Sequence, residues 1–276
     1  MNEMSLTMET PVALSIAGSD SSGGAGIQAD LKTFTHFNVY GETVVTCVVA
    51  EVPGQVLSIQ PIDPSVVRDQ LNLSLIHFPV AAIKTGMLCN REILDLVCEV
   101  YEALPTDERP FLVVDPVMIA TSGDSLIQPG AFEQYKARMF ALADLVTPNL
   151  EEAGAILGTK LDTLSAMRDA AIELYHQYQV AFLLKGGHLK STRAVDLLID
   201  VDGLHEFSAP YRQGVSTHGT GCTYSASIAA NLALGRPLKE AVRIAKKFIT
   251  RAINGSFHWN TKAGRTSALR HFWTQP

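Results

Sequence analysis

The stretch Ser216–Gly235, STHGTGCTYSASIAANLALG, holds residue types suited to handling a phosphoryl group. Gly219, Thr220 and Gly221 are a run of small residues with reachable backbone N–H groups, and Ala226, Ala229, Ala230, Ala233 and Leu234 recur at the spacing of one helical face. The turn His218–Thr223 is therefore predicted at the N-terminus of a closely packed helix, where unpaired N–H groups and the positive end of the helix dipole attract an anion. Gly219 and Gly221 let a ligand approach the backbone and adopt φ values that other residues resist. Cys222 is a candidate proton acceptor or nucleophile, because a helix N-terminus lowers the pKa of a thiol. The plainer reading is a mere Gly-x-Gly turn with a small cysteine packed at the junction. The accompanying histidine, two threonines and alanine-rich helix favour the anion site.

Phosphoryl transfer also needs charges to neutralise and a base beside the acceptor hydroxyl. Short apolar runs end in suitable groups: Val12–Ala17 in Gly18 and Asp20, Thr43–Val52 near Glu51, Ala81–Thr85 in Gly86, and Phe111–Asp115 in Asp115 before Pro116. Leu145–Thr147 leads to Asn149 and Glu152, and Val180–Leu184 delivers Lys185 with Gly186, Gly187 and His188. In open α/β sheets the ligand crevice lies beyond the carboxyl ends of the strands, so these groups are expected along one rim. Asp115 and Glu152 are candidates to hold Mg2+ directly or through water. A helix cap with first-turn acids explains Asn149 and Glu152 as well. Lys185 at the end of a buried strand requires an acid partner or a ligand, since an unpaired buried ammonium is costly. Asp30, one turn into the helix after GSDSSGGAGIQADLKTF, is either a solvated first-turn acid or a carboxylate facing the pocket.

These residues are positioned by alternating elements. Helices are predicted from Asp63-Pro64 to Phe78 and over Arg91–Leu104, Pro129–Ala143, Leu164–Tyr178 and Leu238–Ile253, with a hairpin about Asp202-Gly203 and a flexible loop at Thr121–Asp124. After a loose tail of residues 1–11, residues 12–276 read as one α/β domain, with helices on both faces of a mainly parallel sheet. The Gly-Gly-Ala-Gly loop matches neither the dinucleotide fingerprint nor a P-loop, which argues against a nicotinamide-dependent oxidoreductase. A net charge of −6 without a long basic run argues against a nucleic-acid partner. Cys47, Cys89, Cys98 and Cys222 show no C-x-x-C spacing, the start lacks a signal-peptide pattern, and no apolar run is long enough to span a bilayer. A cytoplasmic protein without membrane partners is expected.

AGSDSSGGAGIQADLKTF, KTGML, DPVMIATSGD, TPNLEEA, LLKGGHL and STHGTGCTYSASIAANLALG, in this order, closely resemble the hydroxymethylpyrimidine/phosphomethylpyrimidine kinases of thiamine biosynthesis, within the ribokinase-like superfamily. The resemblance runs from Val12 to the C-terminal ALRHFW and implies a ribokinase-like homodimer. It also implies ATP- and Mg2+-dependent phosphorylation of 4-amino-5-hydroxymethyl-2-methylpyrimidine and then of its monophosphate. Carried over by resemblance, the pyrimidine pocket falls on Gly18, Ala25, Asp30, Glu51, Met87 and Val117. Asn149 and Glu152 fall near Mg2+ and phosphates, Lys185 near the nucleotide phosphates, Gly219, Thr220 and Gly221 on the anion hole, and Cys222 on the base. The chain departs from the family at Ala50-Glu51-Val52-Pro53-Gly54-Gln55-Val56, where A-Q-N-T-x-G-V is usual. A glutamine amide donates and accepts, whereas an ionised carboxylate only accepts. Glu51 therefore suits an aminopyrimidine when the ring is protonated or the carboxyl is neutral, or it marks a different substrate. Pyridoxal or pyridoxine phosphorylation is the alternative, and a non-catalytic small-molecule sensor the second alternative.

Overall fold

The apolar runs of the sequence become strands of one nine-stranded sheet. The computed structural model describes residues 10–117, 133, 135–187, 189, 192–212 and 218–273. Thr121–Asp124, His188, most of the helix predicted over Pro129–Ala143 and most of the tail lie outside the described residues; Lys136–Phe140 form a π-type turn. The strands are β1 (Val12–Asp20), β2 (Tyr40–Val52), β3 (Gln55–Pro61), β4 (Val80–Thr85), β5 (Phe111–Val114), β6 (Leu145–Val146), β7 (Ala181–Gly186), β8 (Arg193–Asp200) and β9 (Gly203–Pro210). Their spatial order is β3-β2-β1-β4-β5-β6-β7-β8-β9. From β2 to β7 the neighbours are parallel, so six carboxyl ends share one rim. Only β3 at one edge and the β8–β9 hairpin at the other run antiparallel to their neighbours.

Helices cover both faces, as expected. Alternate strand residues supply two cores, because successive side chains point to opposite faces. Leu14, Ile16, Ile83, Leu112, Val114, Phe182 and Leu184 pack beneath α2 (Pro64–His77), α3 (Arg91–Glu102), α4 (Leu150–Leu157) and α5 (Leu164–Tyr178). Ala13, Ala82, Val113, Leu145, Leu183 and Leu198 face α6 (Thr220–Ala233) and α7 (Leu238–Asn254), with α1 (Gly26–His36) beside them. Small residues on both sides of that second interface, Ala13 and Ala82 against Ala226, Ala229 and Ala230, are each fully buried and let α6 lie close to the sheet. Near the C-terminus, β10 (Phe257–Thr261) and β11 (Gly264–Ala268) form a separate antiparallel hairpin.

Candidate active site

The helices differ at their N-termini. Asp63, Asn90, Asn149 and Thr163 cap α2, α3, α4 and α5 with side-chain acceptors. Among the described residues no side chain caps α6, which starts from Gly219 in the left-handed conformation at φ 75°. A side chain at Gly219 is impossible there, since a Cβ would stand 1.8 Å from the Gly24 carbonyl oxygen. Thr220 adds a buried hydroxyl without a hydrogen-bond partner among the described residues. The first turn of α6 thus has helix-start N–H groups that no side chain caps and one buried hydroxyl beside them.

Behind this turn lie two ion pairs. Lys185 Nζ, on β7, donates to Asp115 Oδ1 at 2.8 Å, and Asp115 also accepts from Thr147 Oγ1 and Ser225 Oγ. A Cβ on Gly221 would be 3.2 Å from Lys185 Nζ and 3.5 Å from Asp115 Oδ2, so the glycine brings this pair against the helix backbone. Burial works against the Lys185 ammonium, but Asp115 and then Glu152 hold its pKa above the ordinary value. Asp115 is lowered despite burial, by Lys185 and Lys84. The second pair, absent from the sequence reading as a pair, joins Lys84 Nζ to Asp30 Oδ2 at 2.8 Å, and Ser15 Oγ donates to the same oxygen at 2.6 Å. Asp30 is therefore neither solvated nor free to face a ligand with both oxygens: it is the sealed counter-ion of Lys84, with Oδ1 left unpartnered. Burial works most strongly against the Lys84 ammonium, but Asp30, Cys222 and Asp115 together outweigh it and raise the pKa.

Cys222 feels the charge of both lysines. The lowered thiol expected from the helix N-terminus is not what the structure gives. Burial pushes the Cys222 thiol up to about 11, against the pull of Lys84 and of the Gly26 N–H. The group is a thiol near neutral pH.

Asn149 and Glu152 form a reciprocal capping box: Asn149 Oδ1 accepts from the Glu152 N–H at 2.9 Å and Glu152 Oε2 from the Asn149 N–H at 2.8 Å. The plainer reading holds for their hydrogen bonds, while the buried Glu152 carboxylate still acts electrostatically on Lys185. Among the described residues, Asp115 and Glu152 do not join a third group at metal-ligand spacing; Asp20, Glu51 and His218 bring one ligand-type atom each within 4.8 Å of one another. Asp20 holds the loop before α1, accepting from the N–H groups of Ser22, Gly24 and Ala25 and pairing with His218 Nε2 at 2.9 Å. Burial would raise its carboxyl, but His218, Ser22 and these N–H groups hold it at about 2. Burial and then the Asp20 charge push Glu51 up, with His218 opposing. Glu51 sits beside a register shift in the β2–β3 ladder and is tied to Ser21, which accepts from its N–H and donates to its carbonyl. Gly18 faces Cys47, the Met87 carbonyl accepts from Thr46 Oγ1, and the Val117 N–H donates to the Asp115 carbonyl.

Comparison with known proteins bears on this geometry. The family described as phosphomethylpyrimidine kinase matches residues 20–267. A hydroxymethylpyrimidine/phosphomethylpyrimidine kinase of Aquifex aeolicus is 40% identical over 245 residues, which cover 89% of this chain and 95% of the relative. A pyridoxine kinase of Bacillus subtilis is 41% identical, covering 94% of this chain and 96% of its own. The crystal structure of an ADP complex of Bacillus subtilis pyridoxal kinase gives a TM-score of 0.84 at 38% identity, covering 95% of this chain and 97% of that one. The chain spans 48% of a bifunctional thiamine-biosynthesis protein of Geobacter sulfurreducens. The ribokinase-like fold expected from the motifs is borne out by these neighbours. An uncapped glycine helix start over paired lysines, in a chain so matched along nearly its whole length, belongs to the phosphomethylpyrimidine kinase family and makes this protein a phosphotransferase.

Proposed function

We propose that the protein transfers a phosphoryl group from ATP to the hydroxymethyl group of 4-amino-5-hydroxymethyl-2-methylpyrimidine, and then a second to the resulting monophosphate, in thiamine biosynthesis. The observation that carries this reading is the start of α6 with, among the described residues, no capping side chain and no partner for the buried Thr220 hydroxyl. When bound, ATP supplies the transferable phosphoryl group and Mg2+ neutralises its charge. Gly219, Thr220 and Gly221 hold the equatorial oxygens through N–H groups and the Thr220 hydroxyl. Lys185 turns from Asp115 toward the phosphates, assisted by Asn149 and Glu152. Asp115 and Glu152 would hold Mg2+ directly or through water, and the cation would supply neutralisation of the phosphate charge.

The acceptor hydroxyl attacks phosphorus, its O–H bond breaks, and the bond to the departing nucleotide oxygen breaks as the new P–O bond forms. Cys222 Sγ takes the hydroxyl proton. It does so only as the thiolate: the thiol, raised to about 11 by burial, first gives its proton to solvent, and Lys84 and the Gly26 N–H stabilise the thiolate that then accepts the hydroxyl proton. Gly18, Ala25, Glu51, Met87 and Val117 hold the pyrimidine, with Glu51, whose carboxyl burial and Asp20 push up, at the place of the usual glutamine, and with the sealed Asp30 behind them as the counter-ion of Lys84. A cytoplasmic homodimer of single-domain protomers completes the reading; among the described residues no helix is long and apolar enough to cross a membrane.

Phosphorylation of pyridoxal is the second reading, favoured by the Bacillus subtilis relatives. Mass-spectrometric product analysis with ATP, Mg2+ and each substrate separates the two. Phosphate on hydroxymethylpyrimidine and on its monophosphate is expected, and phosphate on pyridoxal alone would replace the first reading with the second.

A further inference from the structure

The C-terminal run Ala268-Leu269-Arg270-His271-Phe272-Trp273 closes the sequence resemblance, yet no step of the proposed transfer uses it. It leaves β11 and docks on the side of the sheet that carries α6 and α7. Leu269 is buried in the core those helices share, and the Arg270 N–H donates to the Ala252 carbonyl of α7 at 3.3 Å. Arg251 of α7 lies 4.0 Å from the centre of the Trp273 ring, whose edge contacts reach His36 of α1 at 5.2 Å and Phe248 of α7 at 5.7 Å. These anchors flank His271 and hold it in place.

His271 is 4% exposed and Thr223 fully buried, and His271 Nε2 and Thr223 Oγ1 share a hydrogen bond of 2.9 Å across 48 residues. Burial, followed by the charge of Lys32, lowers the His271 pKa to about 4, so near neutral pH the ring is uncharged and offers one acceptor nitrogen. Thr223 is also the residue whose N–H closes the first turn of α6, donating to the Gly219 carbonyl at 2.9 Å. Residues two apart on a helix stand about 200° from each other, and two residues beyond Thr223 the Ser225 hydroxyl donates to Asp115 Oδ2 at 3.1 Å. The turn is therefore held from two opposed sides, by Asp115 at the strand ends and by His271 from the tail. A turn pinned at one point can pivot; a second, opposed point stops it.

We propose that His271 is a positioning residue for phosphoryl transfer: through Thr223 it fixes the rotation of the first turn of α6, and with it the aim of the Gly219, Thr220 and Gly221 N–H groups and of Cys222. The imidazole acts through the helix rather than on the reacting atoms. Aim matters because a misplacement of about 1 Å costs on the order of 100-fold in rate. That these groups face the phosphoryl group rests on the proposed function; the clamp on the turn does not.

The test uses the full chain with ATP, Mg2+ and whichever hydroxymethyl substrate the wild-type protein phosphorylates, so the choice between pyrimidine and pyridoxal does not enter. His271→Phe keeps a ring in place and removes the hydrogen bond. Its kcat should fall about tenfold with both KM values little changed, and His271→Gln, whose amide oxygen accepts from Thr223, should recover most of the loss. Thr223→Val should match His271→Phe, the double variant should be no slower than either single one, and Thr223→Ser should recover the rate. Amide hydrogen exchange followed by NMR reads the clamp without turnover: Thr223, Tyr224 and Ser225 should exchange about tenfold faster in His271→Phe while Ile228 and Ala229 keep wild-type rates. Wild-type kcat in His271→Phe, losses that add in the double variant, or faster exchange along the whole of α6 would overturn the proposal and leave His271 a packing residue. If His271→Phe does not fold, Thr223→Val and Thr223→Ser decide on the same terms. A wild-type protein inactive on both substrates would sink the proposed function, and the exchange measurement would still decide the clamp.

Discussion

Lys84–Asp30 and Lys185–Asp115 are the same chemistry at the same distance of 2.8 Å, on two sides of one helix start. Neither side chain of the first pair has any exposed surface, while Lys185 keeps 13% of its own exposed. Lys84 is closed in by Gly86 and held by a carboxylate that Ser15 also fixes, whereas Lys185 looks past Gly221 into the opening of α6. A sealed pair is fixed when the chain folds, because opening it would leave a bare charge in the interior. A pair at an opening can exchange its partner for a phosphate. Burial of a charge is thus consistent with two different jobs, and the neighbouring glycines tell them apart.

Cys222, which feels both lysines, sharpens this contrast most. Cys222→Ala should lower kcat by roughly 10²–10⁴ with substrate KM nearly unchanged, as removal of a general base does, and near-normal turnover in steady-state kinetics would end that role. Asp30→Ala leaves Lys84 buried and unpaired, so denaturant unfolding should show a loss of about 3–5 kcal/mol. Lys185→Met, by contrast, should lower kcat by about 10²–10³ while costing less stability than Asp30→Ala. Equal stability losses in the two variants would break the comparison.

Asp20 extends the contrast to a carboxylate held by N–H groups and His218. Its pKa falls from 3.8 to about 2 on folding, which is worth roughly 2 kcal/mol. That contribution is fully present above the unfolded value and is lost as pH falls from 3.8 through 2, so Asp20→Asn should flatten the acid limb of a stability-versus-pH curve. The smallest effect is expected at Glu51→Gln, with pyrimidine turnover retained or improved and a KM less sensitive to pH, since the amide needs no proton to donate. Total loss of turnover would give the carboxylate a task of its own.

The rim of strand ends was legible because each apolar run stops at a polar residue, and that punctuation is local. Lys84 carries no such mark: it sits within AAIKTG, which reads simply as a strand, and its partner Asp30 is 54 residues away. His218 was read only as part of a turn, because its contact with Asp20 spans 198 residues. The Cys222 thiol shows the same limit. A helix start is visible in sequence, whereas the burial that overrides its effect depends on β1, β4 and β5 arriving beneath it. The exposed β10–β11 hairpin had no core-facing alternation to reveal it.

Gly219 against Gly24 leaves no room for a single methyl group, yet Glu51 hangs on an antiparallel ladder at the sheet's edge, beside a register shift. The molecule therefore divides into a part that evolution can scarcely edit and a part it can rewrite cheaply. On the proposed function, changes along β2 and β3 would retune which small alcohol is accepted without disturbing the glycine contact. For an engineer, that edge is the dial and the glycine contact is the chassis.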